Sequence, residues 1–219
     1  MKILITNFRY LGFTGTETFI YSLLKFLRLN KINATFYSPF LGGEIVERTR
    51  RLGIKCVDNL EEIKNEQFDL IHCQQDLVAI LSRFYFPKTP IVMLKHGFLT
   101  PIDTHSGLVQ FNYYGGISHE LVKIWEKEKI AKNRLFLFPN SVDLEKFSCF
   151  SPLPKIPQKL LVFNPRIDQK AKLIIKNVAT KNHLAVKFLG LGKRIFNVED
   201  RIKKADIVLT LGRAAYEAM

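Results

Sequence analysis

The 219-residue chain has few cysteines, few acidic residues relative to basic ones and no long apolar run, and each shortage removes a class of protein. Its three cysteines, Cys56, Cys73 and Cys149, are odd in number, scattered and never paired as C-x-x-C. Neither a disulfide framework nor a zinc site is indicated, and reduced thiols are expected. No apolar run approaches the roughly 18 residues of a membrane span. The opening MKILIT is too short a greasy stretch for a secretory signal, so a cytoplasmic chain is expected. Zinc-finger spacing, an RNP signature and arginine-rich tracts are all missing, which sets nucleic acid aside as a partner. No G-x-G-x-x-G dinucleotide fingerprint, internal repeat or low-complexity tract occurs.

What is present is ample material for a core, 47% hydrophobic with 12% aromatic residues, under a formal charge of +13. Such a charge attracts phosphate-bearing partners or an anionic membrane face, although a solvated lysine-rich surface accounts for it equally. The order of elements is more specific. KILIT reads as a strand, GFTGT as a glycine turn, and ETFIYSLLKFLRLNK as a helix with Phe19, Ile20, Leu23, Leu24 and Leu27 on one face. Strands NATFYSP, KCV, DLIHC, PIVMLKHG, GGIS and RLFLFPN then alternate with helices EIVERTRRLG, DLVAILSRFYF and HELVKIWEKEK. A short apolar strand after each helix implies a parallel sheet covered on both faces.

Near Phe147 the pattern breaks. Three prolines in SCFSPLPKIPQ read as an interdomain linker over residues 148–158, after which KLLVFNP, KLIIKNVATK, LAVKFLG, VEDRIKKA and DIVLTL restart the alternation. The fold class expected is α/β, with two Rossmann-like doubly wound parallel-sheet domains, residues 1–150 and 159–219, meeting at a cleft. Only 61 residues follow Gln158 (219 − 158), against roughly 100–150 for a complete doubly wound domain. The second domain is therefore expected to be incomplete, the chain a fragment of a longer protein, and the fragment itself inactive with weak nucleotide affinity.

Ligands of open α/β sheets bind at the carboxyl ends of strands. There the loop GFTGTETF places Gly12, Gly15 and Thr16 before a helix whose free amides suit an anion, while Thr14 and Glu17 have the T-x-x-E spacing of a capping box. His96 ends another strand and precedes a glycine.

Seven stretches in order, GTETF, FDLIHCQ, KHGF, GISHELVKIW, PNSVDLEKF, FNPRIDQKAKLIIKN and ADIVLTLGRAAYEAM, resemble the GT-B glycosyltransferases of the group often called family 4. PNSVDLEKF resembles the P-N-G-V-D and later Phe that close such N-terminal domains, with Ser141 in place of the glycine. The resemblance implies transfer of a sugar from a nucleotide-sugar donor to a glycan or lipid-linked acceptor, with retention of configuration. It implies no cofactor and no metal, and no D-x-D occurs in the sequence. It gives His96 a place near the transferred sugar, and Arg166 with Lys170 or Lys172 the donor diphosphate, where cations stabilise developing charge. His72 matches a strand end that is largely structural, and Gln74 stands where many relatives have a second histidine.

Glu217 corresponds to the glutamate that binds the ribose, but the partner acid expected eight residues earlier is Leu209, so Gly212 and Arg213 are candidates for the donor phosphate. A GT-B-fold epimerase and a non-catalytic binding module are the alternatives. Lys25, Arg28 and Lys31 on the first helix make a face that would hold the protein peripherally on the inner side of an anionic membrane.

Overall fold

The computed structural model describes residues 1–98, 101–148, 152, 154–164, 167–190 and 197–219. Two compact units, Met1–Pro139 and Asn140–Met219, divide it.

The first unit is built on β1 (Lys2–Thr6), β2 (Arg9–Tyr10), α1 (Gly15–Leu29), β3 (Asn33–Tyr37), β4 (Phe40–Leu41), α2 (Glu44–Arg51) and β5 (Lys55–Val57). It continues through β6 (Leu70–Cys73), α3 (Asp76–Tyr85), β7 (Ile91–Lys95), β8 (Tyr113–Gly116), α4 (His119–Lys127) and β9 (Leu135–Leu137). Seven strands form one parallel sheet in the order β5-β3-β1-β6-β7-β8-β9. The short strands β2 and β4 pair separately, in parallel, beside the site described below.

The period-two geometry of β1 shows how the sheet is buried. Leu4 joins a cluster with Ile71, Cys73, Met93, Tyr114 and Trp125, while Ile3 and Ile5 join a second with Phe19, Ile20, Leu24, Phe36 and Leu94. Alternate residues of one strand thus feed cores on opposite faces. Each such side chain contributes about 1.5–3 kcal/mol by leaving water. In α1 the buried Phe19, Ile20, Leu24 and Leu27 recur at helical spacing, and Asn30 caps its end. On β8, a Cβ on Gly115 would lie 2.4 Å from the Phe136 ring, so only glycine admits that ring against the strand.

Burial also decides the thiols. It pushes Cys56 up to about 11 and Cys73 up to about 12, leaving both protonated and inert. Cys149 lies outside the described residues.

The second unit contains β10 (Lys159–Phe163), α5 (Gln169–Lys181), β11 (Ala185–Leu189), α6 (Glu199–Ile202), β12 (Ile207–Thr210) and α7 (Arg213–Ala218). Its three strands are parallel, in the order β11-β10-β12. Leu160 and Val162 pack with Ala179 of α5, while Leu161 packs with Leu189 and Val198. Residues 140–148, assigned by sequence to the first domain, cluster with this unit. The cause is local: Phe147 packs on the Leu161 side, and Lys146 Nζ lies 3.3 Å from Glu199. Among the described residues, no helix is long and apolar enough to cross a membrane.

Candidate functional site

In an open parallel sheet a crevice forms where neighbouring strands send their crossovers to opposite sides. The strand orders place that point between β1 and β6 in the first unit and at the end of β10 in the second.

In the first unit the point is closed by Gln75, whose side-chain oxygen accepts from Phe8 N–H at 2.9 Å. The loop after β1 then folds onto Glu17. One carboxylate oxygen accepts from Leu11 N–H (2.8 Å) and Gly12 N–H (3.1 Å), and the other from Thr14 N–H (2.8 Å). Thr14 Oγ1 in turn accepts from Glu17 N–H at 3.5 Å, completing a capping box. Glu17 is only 2% exposed, so it shapes the backbone and does not face a ligand.

The loop is braced from outside as well. Gly42 N–H donates to Tyr10 O at 3.0 Å, and Gly43 at φ +74° starts α2. A Cβ on Gly43 would sit 2.6 Å from Leu11 O, so both the backbone conformation and the contact require glycine.

Gly12 is buried, whereas Gly15 and Thr16, which open α1, are accessible. A Cβ on Gly15 would meet nothing within 4 Å, and its φ is ordinary. The fold gives no steric reason for glycine there. An exposed helix start without a side chain lets a ligand reach the amides.

His96 follows β7 at the same end of the sheet, half-buried, with its ring centroid 4.8 Å from that of Phe19 on α1 in a T-shaped arrangement. Its Nε2 lies 2.5 Å from Gln74 Oε1, and Gln74 Nε2 lies 2.7 Å from His72 Nδ1. With the amide oxygen facing His96, His96 Nε2–H donates to that oxygen, and the NH2 donates to His72. His72 is neutral, since burial holds its pKa near 4. With Nε2 protonated, the lone pair of a neutral His96 sits on Nδ1. Gln74, which by sequence is only a departure from the family pattern, is thus the residue that sets the tautomer of His96.

A second network behind this one has no local sequence signal. Lys95 is buried, donates to Asp103 O at 3.1 Å and lies 4.3 Å above the Trp125 ring, and desolvation lowers its pKa. Asp76, at the start of α3, bonds His105 Nδ1 at 2.8 Å, Ser106 N–H at 3.1 Å and Ser106 Oγ at 2.5 Å. Trp125 Nε1–H donates to Gly115 O at 2.9 Å. Together these contacts pin residues 103–106 over the sheet next to His96. Asp76 is legible as a first-turn acid, but its partners come from a loop 29 and 30 residues away.

In the second unit Arg166 lies outside the described residues. Asp168 caps α5, accepting from Ala171 N–H at 2.6 Å. Lys170 is exposed, whereas Lys172 Nζ lies 5.3 Å from the centroid of the Phe188 ring. Gly212, at φ +66°, precedes α7. Arg213 Nε donates to Glu217 Oε1 at 2.9 Å, a consequence of i,i+4 spacing on one helical face. Both side chains are about a tenth exposed, so the candidates for phosphate and for ribose are each other's partners. Among the described residues, no group of three or more His, Cys, Asp or Glu is placed to hold a metal ion.

No protein-family model matches the chain, and no curated protein does. Solved structures do. A glycosyltransferase from Rickettsia africae ESF-5 superposes with a TM-score of 0.72 at 12% identity, over 99% of this chain and 76% of that one. Anabaena Alr3699/HepE in complex with UDP and glucose gives 0.69 at 15%, over 100% and 78%. The lipopolysaccharide outer core galactosyltransferase WaaB gives 0.64 at 13%, over 99% and 70%. The fold is that of the GT-B glycosyltransferases. Within this GT-B chain, the loop 12–16, Gln74 and His96 share the carboxyl end of the first sheet, and Asp168, Lys170 and Gly212 follow strands of the second.

Proposed function

We propose that the protein transfers a sugar from a nucleotide-sugar donor to a glycan or lipid-linked acceptor, with retention and without a metal. One observation carries this reading: in a GT-B fold, a histidine of defined tautomer is held against the first helix, beside an accessible glycine helix start. The first unit takes the acceptor. His96 stands next to the transferred sugar, oriented by Gln74 and Phe19, with the Gly15–Thr16 amides available to an anionic group. The second unit takes the donor. Lys170 joins Arg166 on the diphosphate, because Lys172 is already occupied by the Phe188 ring. Gly212 presents its loop amide, and Arg213 orients Glu217 toward the ribose hydroxyls. The metal-independent part of the reading rests on the absence of D-x-D from the sequence.

UDP-glucose is the first donor to test, since it and UDP occupy Anabaena HepE structures. In a full-length enzyme, His96→Ala is expected to lower turnover by about 100-fold or more while the Kd for UDP stays within about twofold. Equal losses in both would move His96 out of the sugar site. Gln74→Glu, which reverses the polarity at one contact, is expected to lower turnover as well without weakening UDP.

The membrane is a further part of the proposal. α1 buries its apolar face, but its last turns present Phe26 (59% exposed) and Leu29 (70% exposed) beside Arg28 and Lys31. Exposed apolar residues among basic ones fit an anionic bilayer surface and a cytoplasmic, peripheral location. Co-sedimentation with phosphatidylglycerol vesicles is expected to fall with added salt and with Phe26→Ser. Binding indifferent to lipid charge, to salt and to Phe26→Ser would overturn it.

A further inference from the structure

At the end of the first sheet opposite His96 there is a shallow cavity of about 260 Å³, lined by Arg83, Lys88, Thr89, Gln110, Asn112 and Arg134 among others. Arg83 belongs to the last turn of α3, Thr89 leads into β7, Asn112 into β8 and Arg134 into β9. The five residues of β7 separate this end from His96 by roughly 13–17 Å of strand.

The hydrogen-bonding polarity of the cavity is one-sided. Arg83 Nη1 donates to Pro87 O (2.7 Å) and Thr89 O (2.9 Å). Arg134 donates through Nε to Asn112 O (3.1 Å) and through Nη2 to Phe111 O, and its guanidinium lies 5.3 Å from the Tyr114 ring. The Asn112 side-chain oxygen accepts from Ile91 N–H at 2.9 Å. Four carbonyl acceptors at the rim, those of Pro87, Thr89, Phe111 and Asn112, are therefore consumed by the protein's own arginines. Donors are left over: Arg83 Nε and Nη2, Arg134 Nη1, the Asn112 NH2 and Lys88 Nζ have no partner among the described residues. Among the described residues, no carboxylate lines the cavity.

Both guanidinium planes are fixed before any ligand arrives, so the ordering entropy of two long side chains is already spent. Several converging donors with three positive charges match a tetrahedral oxyanion, whose oxygens only accept. We propose that this cavity binds a phosphate or diphosphate group, at a site separate from the sugar-transfer site and independent of that function. The group belongs either to a soluble phosphate compound or to a lipid headgroup.

The test is an amide NMR titration of the 219-residue chain with inorganic pyrophosphate, at low and at raised salt. Shifts are expected at Lys88, Thr89 and Gln110, weakening with salt. Lys88→Gln, which removes no contact within the protein, is expected to weaken the response about fivefold. Arg83→Gln should weaken it further, but it also releases two carbonyls, so Lys88→Gln is the deciding variant. In a parallel arm, vesicles of phosphatidylglycerol and of phosphatidylcholine replace pyrophosphate. Broadening of the same amides by phosphatidylglycerol alone would assign the phosphate to a headgroup, and a response to pyrophosphate alone would assign it to a soluble ligand. Either result sustains the pocket. Silence at these amides in both arms, shifts confined to residues 12–16 or 167–172, or equal affinity of Lys88→Gln and the wild type would overturn it.

Discussion

Glu17→Ala is expected to lower the stability of the first unit by about 2–4 kcal/mol, as read from urea unfolding. The carboxylate accepts three backbone N–H groups and sits at the positive end of α1. Removing it leaves the N–H of Gly12 buried without an acceptor, while Leu11 and Thr14 lie nearer water and recover part of their loss. Hydrogen bonds to a charged acceptor each contribute more than neutral ones, which puts the total above that of an ordinary helix cap. Glu17→Gln keeps one acceptor oxygen and is expected to fall between the two. An alanine variant within about 0.5 kcal/mol of the wild type would show that water replaces the carboxylate and that the loop does not depend on it.

Acidification should destabilise the protein through His72. In the folded chain its pKa is lowered from 6.5 to about 4 by burial. Between those values the unfolded chain takes up a proton that the native one refuses, so the unfolded state gains relative stability as pH falls. The contribution is fully present above pH 6.5, is lost progressively down to about pH 4, and amounts to about 3 kcal/mol. His72→Asn retains an acceptor for Gln74 but does not titrate. Its urea midpoint is expected to change less than the wild type's between pH 7.5 and 4, and parallel curves would exclude His72 as the source. Carboxylates such as Asp206, held low by backbone N–H groups of Gln158 and Lys159, titrate in both proteins and cancel in the comparison.

The alternation of strands and helices was legible because each element carries its own period. The apolar spacing of α1 and the alternating burial along β1 follow from local geometry. The ladder of β2 and β4 was not legible, since two residues per strand carry no period. The capping box at Thr14 and Glu17 could be read from spacing, but the two further amides on Glu17 depend on how the loop doubles back. His96 could be placed at a strand end. Its bond to Gln74 could not, because it joins neighbouring strands 22 residues apart. The Arg213–Glu217 pair was within reach, as i,i+4 spacing alone brings them together, yet the family resemblance drew each toward a separate ligand group. The basic cavity was not visible because its residues come from the starts of three strands and the end of a helix.

The position of β1 inside its sheet, with a neighbour on each side, has a consequence for biosynthesis. Once it leaves the ribosome, β1 pairs with β3 on one side and, 67 residues later, with β6 on the other. At synthesis rates of about 5–20 residues per second, Ile3, Leu4 and Ile5 wait for several seconds before both neighbours exist. During that interval they form an apolar strand without a complete sheet, the kind of segment that chaperones bind and that aggregates when they do not. Parallel pairing cannot be shortened by a hairpin, so the delay is built into the strand order itself.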